Sequence, residues 1–164
     1  MALRYDRNSQ ALKLGRFTVP IERDRVRDIY GISGNAENPI ALTSFAKNQE
    51  AYHSFVERCF SNKLNKSNLT KTAIVKALNE ALVLTTKVGR EDVVRLVTLY
   101  MLNAFFLTVS GMTIALGYLK IVAGDIKEIK EYDWATHIHE KLMESLNNQD
   151  PRSLSTCLLT IPVQ

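Results

Sequence analysis

The chain has 164 residues, of which 46% are hydrophobic and 23% are charged, and its formal net charge is +4. This length fits one domain, and the composition is that of a globular protein, which excludes an intrinsically disordered chain. The basic excess is small and dispersed, because the densest basic stretch, residues 22–28, alternates three arginines with three acids. Such a stretch favours a solvated helix face over a phosphate-binding patch, so nucleic acid is not an expected partner.

Cysteine usage and the N-terminus predict an intracellular protein. Cys59 and Cys157 are the only cysteines, and no CxxC or Cys/His spacing of a metal site occurs. We therefore expect two reduced thiols in a reducing compartment. Residues 1–17 lack the apolar core of a secretion signal. We expect a nuclear or cytoplasmic protein; a mitochondrial one is the alternative, since these residues hold four basic side chains and one acid.

The first part of the chain predicts a short β-hairpin followed by helices. Residues 12–19 alternate apolar side chains around Gly15, which is typical of a strand or hairpin. The helical spacing of apolar residues then predicts a helix over residues 21–30, ended by Gly31, and another over residues 45–60.

The middle of the chain predicts the core of a helical protein. A helix that begins at Asn68 or Thr70 is expected to end at Gly89. Residues 93–109 are apolar nearly all round, which predicts a buried central helix. The uncharged stretch 96–119 is long enough to span a bilayer, but its polar residues and helix breaks favour a soluble core.

The segment IKEIKEYDWATHIHEKLMESL, residues 126–146, predicts one amphipathic helix. Asp125 and Glu128 resemble a capping box at its start, and Asp133 within it is expected to be a cap or a turn acid. Apolar residues at steps of four give the helix a core-facing stripe. The expected structural residues are Tyr132, Trp134, Ile138 and Leu142.

The sequence predicts neither a metal site nor a catalytic site. His137 and His139 lie two residues apart, so on a helix they point about 200° away from each other. His53 lies on a different predicted helix, without a carboxylate or thiolate pattern to join it to them. No glycine-rich phosphate loop, GxSxG elbow or HExxH motif occurs. We predict a non-enzyme with no catalytic residue, no cofactor and no metal.

Two segments carry a family resemblance. The first is FTVPIERDRVRDIYGISGNAENPI, residues 17–40, and the second is YLKIVAGDIKEIKEYDWATHIHEKLMESL, residues 118–146. They resemble elements of the plant mobile domain, a transposon-related family also labelled aminotransferase-like. Arg25 stands where that family usually has the aspartate of an Asp-Val pair. The second segment matches the family pattern at Tyr118, Leu119, Asp125, Ile126, Ile129, Tyr132, Trp134, Ala135 and Leu142.

The resemblance implies a plant source, a mainly helical domain and no established catalytic residues. Because the family is linked to transposons and to nuclear gene silencing, it implies a binding role. Nothing in the sequence identifies the Schiff-base lysine or the phosphate-binding cup of a pyridoxal enzyme. STCLLTIPVQ, residues 155–164, is similar to the beginning of a further family helix, with Ser155-Thr156 in place of a glycine. The chain is therefore expected to be a shortened copy, with an apolar patch left uncovered on its central helix.

Together these patterns predict a mostly α-helical, single-domain bundle with one short N-terminal hairpin. We expect an N-terminal segment 1–15, a plant-mobile-domain-like domain 16–150 and an apolar tail 151–164. The protein is expected to act by protein–protein contact and to form homo-oligomers, whereas a membrane is not an expected partner. The expected contact residues are Tyr100, Phe105, Phe106, Leu154, Leu158, Leu159 and Ile161.

A helical enzyme with an unrecognised site stays open on the sequence alone, and so do two binding functions. One is a small toxin- or antidote-type effector of a selfish element, which would bind a cellular or organelle protein. The other is a nuclear silencing factor associated with nucleic acid.

Overall fold

The computed structural model describes residues 3–32, 37–42, 50–60, 68–107 and 113–148. The described part is mostly α-helical and begins with a small antiparallel sheet, as the sequence predicts. Its strands are β1 (Leu3–Asp6), β2 (Ala11–Leu14), β3 (Phe17–Pro20), β4 (Asn68–Thr70) and β5 (Thr113–Ala115). Its α-helices are α1 (Arg23–Tyr30), α2 (Glu50–Phe60), α3 (Lys71–Leu82), α4 (Lys87–Met101), α5 (Gly117–Ala123), α6 (Ile126–Ile129) and α7 (Trp134–Asn147), and a π-helix (Leu102–Phe106) follows α4 directly.

The described contacts divide the chain into two compact units. The terminal unit comprises residues 1–40 and 132–164, and the central unit comprises residues 41–131. The predicted boundary between residues 15 and 16 falls at the turn between β2 and β3. The predicted tail, 151–164, lies outside the described residues.

The terminal unit starts with a β-meander in the order β1-β2-β3. In its second hairpin Leu14 pairs with Phe17, so Gly15 and Arg16 form the connecting turn. Gly15 has a φ of +59°, which a side chain would disfavour. The predicted hairpin is therefore confirmed, and β1 adds a third strand to it.

Helix α7 packs the terminal unit together. Its residues Met143 and Leu146 form a buried cluster with Leu12 and Ile21, and Tyr5 and Leu142 pack against the same cluster. α1 also contacts α7. The predicted stop of α1 is confirmed, because Gly31 adopts a left-handed φ of +61° and donates its backbone N–H to the Arg27 carbonyl.

The predicted single helix over residues 126–146 is wrong, because the chain forms two helices there. Asp125 caps the first of them, α6, because its carboxylate accepts from the backbone N–H of Lys127 at 2.9 Å. At Asp133 the backbone has a ψ of 71°, which is not helical, and its N–H donates to the Asn38 carbonyl at 2.9 Å. The Asp133 carboxylate accepts from the backbone N–H of Thr136 at 3.1 Å and so begins α7. The predicted role of Asp133 as a cap is confirmed.

The central unit is a helical core with a two-stranded ribbon. β4 and β5 pair antiparallel, α3 and α4 pack on each other, and α5 contacts both α2 and α4. Large side chains that are almost fully buried fill the interior of this unit. They are Phe55, Phe60, Leu69, Ile74, Leu96, Leu99, Leu119 and Val122.

The role predicted for Gly89 is wrong, because it lies in the first turn of α4 and does not end α3. The chain leaves α3 after Leu82, and the Thr86 hydroxyl accepts from the Gly89 N–H at 3.0 Å to cap α4. A Cβ atom on Gly89 would stand 2.5 Å from the Cβ of Leu84. The glycine is therefore needed for close approach of the preceding loop, which local sequence patterns do not indicate.

The central helix also differs from its prediction. α4 begins at Lys87, ends at Met101 and continues as a π-helix to Phe106, where the sequence predicts one buried helix over residues 93–109. Several of its apolar side chains are exposed, as described below. Residues 108–112, with the predicted interruption at Ser110, lie outside the described residues. Among the residues that the structure describes, none of the helices combines the length and the hydropathy that a membrane span requires.

Candidate protein-interaction surface

Apolar side chains on the outer face of α4 form the most conspicuous surface of the central unit. Of the twelve large hydrophobic side chains that are exposed in the described part, nine lie between residues 75 and 105. Four of them follow one line along α4 and the π-helix, and each is between 38% and 45% exposed. This line is called the α4 ridge, and its members are Val94, Val97, Met101 and Phe105.

The spacing of the α4 ridge places its members on one side of the helix. Steps of three and four residues return to the same side of an α-helix, which has 3.6 residues per turn. The ridge spans about 16.5 Å, from 11 residue steps of 1.5 Å. The opposite side of α4 carries Leu96 and Leu99, which are fully buried. α4 is therefore apolar on both sides, and the described residues cover only the inner one.

An ion pair with a buried carboxylate holds the inner side of α4 against α2. Asp92 is 2% exposed and binds the Arg58 guanidinium through two contacts, Nε–Oδ2 at 2.8 Å and Nη2–Oδ1 at 2.9 Å. Arg95 joins the same carboxylate at 3.2 Å and donates to the Gly124 carbonyl at 3.2 Å. Its guanidinium also lies 5.7 Å from the centre of the Phe55 ring. These bonds fix the rotation of α4 about its axis and so keep the ridge turned outward.

Burial suppresses the reactivity of Cys59, which lies next to Arg58 on α2. Burial raises the pKa of this thiol to about 11, with a smaller contribution from the Asp92 carboxylate. The hydrogen bond to Asp92 also raises the pKa of Arg58, so the guanidinium stays charged. A protonated, buried thiol is a weak nucleophile, and Cys59 therefore acts as a small apolar core residue.

A second exposed apolar group lies at the turn between α3 and α4. The most exposed of its side chains are Leu82 at 60% and Val83 at 77%. Arg90 braces this turn by donating from Nη1 to the Thr85 carbonyl at 2.9 Å. The group is called the hairpin tip and consists of Leu82, Val83, Leu84 and Val88. The hairpin tip is not part of the α4 ridge, because Val88 is turned about 120° away from Val94 around the helix.

The contact residues predicted from the sequence fall only partly on this surface. Phe105 belongs to the α4 ridge, whereas Tyr100 is half-buried under the Lys71 ammonium, 5.3 Å from its ring centre. Phe106 is half-buried. The four predicted tail residues, Leu154, Leu158, Leu159 and Ile161, lie outside the described residues. The sequence prediction missed Val94, Val97 and Met101, although their steps of three and four could have indicated a second apolar face.

The predicted structural residues lie in the terminal unit. Trp134 is 7% exposed and meets the Tyr132 ring edge to face, with centroids 6.3 Å apart. Ile138 is buried, and Leu142 packs against the apolar cluster of that unit.

The histidines of α7 have separate surroundings. His137 is buried, and burial lowers its pKa below the ordinary 6.5, helped by the nearby cation of Lys141 and opposed by Glu140. His139 is half-buried, and its Nε2 lies 3.0 Å from the Ile21 carbonyl oxygen. In the residues that the structure describes, no three His, Cys, Asp or Glu side chains are grouped so as to hold a metal ion.

Sequence comparison assigns the chain to a family. The model of the domain of unknown function DUF8566 matches residues 1–161. The chain belongs to the DUF8566 family. The match covers nearly the whole chain, so both units and the α4 ridge lie within the DUF8566 domain. No curated protein and no solved structure matches the chain.

Proposed function

We propose that this protein acts by contact with another protein and that the α4 ridge is the contact surface. The observation that supports this proposal is the exposure of four large apolar side chains in one line on a helix whose inner side is fixed. The outer face of a helix in a globular protein is normally polar. Exposed apolar patches with polar surroundings commonly mark sites of protein contact.

The form of the α4 ridge fits recognition between helices. Side chains at successive steps of three and four are the anchors that a helix inserts into an apolar groove or presents to another helix. Removing such side chains from water stabilises a complex by roughly 25 cal/mol per Å² of apolar area. The bidentate Arg58–Asp92 pair keeps α4 from rotating, so little ordering of the ridge is required on binding.

The proposal includes a non-enzymatic role. The most nucleophilic side chain of the central unit's described core, Cys59, is buried and has a raised pKa. The buried His137 lies in the terminal unit, where burial holds its pKa low. Both side chains therefore serve as parts of the core.

Descent from the plant mobile domain remains part of the proposal. Five of the positions that carry the resemblance are buried: Tyr118, Leu119, Ile129, Trp134 and Ala135. Matching core positions are what a shared fold requires, so the resemblance concerns architecture and assigns no site. An experimental structure of a plant mobile domain should therefore show helices in the same order at these positions.

The proposed function can be tested with a matched pair of variants. Val97→Glu places one charge on the α4 ridge, and Val88→Glu places one on a similarly exposed site of the same helix away from it. Protein cross-linked to its neighbours in a lysate of the source organism would be compared by mass spectrometry. Neighbours of the wild type should be retained by the Val88 variant and lost by the ridge variant. Identical neighbours in all three proteins, each shown to be folded by circular dichroism, would overturn the proposal.

A further inference from the structure

We infer that the occupant of the α4 ridge is a second copy of this chain, with the two α4 helices antiparallel across a two-fold axis. This inference rests on the proposed function, because it names the partner of the same surface. Self-association through identical patches is the commonest form of oligomer. The order of side chains along α4 supports a second copy as the occupant.

Two copies of the α4 ridge are complementary to each other when their helices run in opposite directions. Arg90 is exposed on the same side of α4, one helical step before Val94. With an axis between positions 97 and 98, Arg90 lies opposite Phe105 of the other copy and Val94 lies opposite Met101. The Val97 side chains of the two copies then meet beside the axis. A small side chain thus faces a large one on either side of the axis, which allows close packing of the helices.

Each end of this arrangement pairs a cation with an aromatic ring. The Arg90 guanidinium would lie over the Phe105 ring, and an arginine over an aromatic face is attracted by the electrons of the ring. Arg90 donates from one nitrogen to the Thr85 carbonyl, which holds its side chain at the α4 surface. The structure already contains this kind of contact within one copy, with Arg95 5.7 Å from the Phe55 ring centre.

A parallel arrangement of the two helices is disfavoured by the same residues. It would bring Arg90 against Arg90 and would leave the two Phe105 rings without a cation. In the antiparallel pair the two Arg90 residues stand about 22 Å apart along the helix axis, from 15 residue steps of 1.5 Å. That separation exceeds the Debye length of about 8 Å at physiological salt, so their repulsion is screened.

The first experiment measures association by analytical ultracentrifugation at micromolar concentrations. The wild type and the Val88→Glu control should both be dimers. Val97→Glu should weaken dimerisation by more than about 100-fold, because a symmetric dimer carries each substitution twice. Arg90→Ala and Phe105→Ala should each weaken it by about 10-fold, and the double variant should be little weaker than either single one, since both remove the same contact.

The second experiment tests the direction of the helices by disulfide cross-linking. The background is Cys157→Ser, and the buried Cys59 is left in place. A mixture of Arg90→Cys and Phe105→Cys proteins should form the mixed cross-linked dimer under mild oxidation. Arg90→Cys alone should not cross-link, because a disulfide requires Cα atoms within about 7 Å. Val88→Cys serves as the exposed control off the ridge.

The outcomes separate the inference from the proposed function. A monomeric wild type whose ridge variant still loses its cellular neighbours would overturn self-pairing and leave the proposed function standing. A monomeric wild type whose neighbours do not depend on the ridge would overturn both. A dimer in which Arg90→Cys cross-links to itself would overturn the antiparallel arrangement. A dimer unaffected by Val97→Glu would overturn the choice of surface.

Discussion

Arg58 on α2 and Asp92 on α4 form a bidentate ion pair, in which Nε–Oδ2 is 2.8 Å and Nη2–Oδ1 is 2.9 Å. Asp92 is buried, and it is shared with Arg95, whose Nε is also buried and makes no hydrogen bond within the described residues. The carboxylate thus compensates two cations at the junction of α2 and α4. Stability and the outward position of the α4 ridge both depend on it.

Asp92→Asn should lower the free energy of unfolding by about 3 kcal/mol, because it leaves the buried Arg95 cation with only the half-exposed Glu91 carboxylate, 3.8 Å away, as a counter-charge. The value is at the low end of the usual range, since the Arg58 side chain is 41% exposed and can be hydrated. Urea unfolding followed by circular dichroism measures the change. The control is Lys141→Met, which removes an exposed ion pair with Glu144 and should cost less than about 1 kcal/mol. Equal losses in both variants would contradict the importance of burial.

Gly89→Ala should destabilise the protein by about 1–3 kcal/mol through overpacking. This is the reverse of the usual effect, since alanine is favoured over glycine within a helix by about 1 kcal/mol. The reason is that the new Cβ would stand 2.5 Å from the Leu84 Cβ and 3.1 Å from the Leu84 carbonyl oxygen. Thermal and urea unfolding measure the effect. Leu84→Gly in the Gly89→Ala background should recover part of the loss, and a stabilised Gly89→Ala protein would show that the loop yields easily.

Trp134→Ala should lower the free energy of unfolding by about 3–5 kcal/mol, the usual cost of deleting a large buried aromatic side chain. Trp134 is 7% exposed and packs edge to face with Tyr132. The native protein should also show tryptophan emission at shorter wavelength than the urea-unfolded protein. Phe17→Ala is the matched surface control, since Phe17 is 57% exposed, and should cost less than about 1 kcal/mol. A water-like emission maximum in the native protein would place Trp134 at the surface.

His137 should make the protein less stable as the pH falls through the range below 6.5. Its pKa in the folded state is lowered by burial and by Lys141, so below pH 6.5 the unfolded chain takes up the proton first. The stability that comes from burying neutral His137 is fully present above pH 6.5, and it is lost as the pH falls towards the lower folded-state pKa of this side chain. Urea midpoints at pH 7.5 and 5.5 measure it in wild type and His137→Gln. The variant should lose less stability between the two pH values, whereas equal losses would assign the acid sensitivity to other groups.

Cys59 should resist alkylation in the folded protein. The thiolate is the reactive form, and a pKa raised to about 11 leaves very little of it at pH 8. In a Cys157→Ser background, iodoacetamide labelling at pH 8 should be slow without urea and fast in urea. The same shift should lower stability between pH 9 and 11, because the unfolded thiol ionises first. Fast labelling of the folded protein would show that Cys59 is accessible.

Local interactions explain what the sequence predicted correctly. The β-hairpin at Gly15, the end of α1 at Gly31 and the capping role of Asp133 each depend on contacts within a few residues. The helical character of α2, α3 and α4 follows from apolar spacing, which is also local.

Contacts between distant segments decided the rest. A helix that is apolar nearly all round does not indicate which of its sides is buried. Only the tertiary structure shows that α3 and α5 cover one side of α4, while Val97 and Met101 on the other side stay exposed. Likewise, the break before α7 depends on the hydrogen bond from Asp133 to the distant Asn38. The burial of Asp92 depends on Arg58, 34 residues away. The sequence by itself therefore determined the hairpin, the end of α1 and the cap at Asp133, whereas the tertiary structure determined where the last helices begin and end and which apolar faces stay exposed.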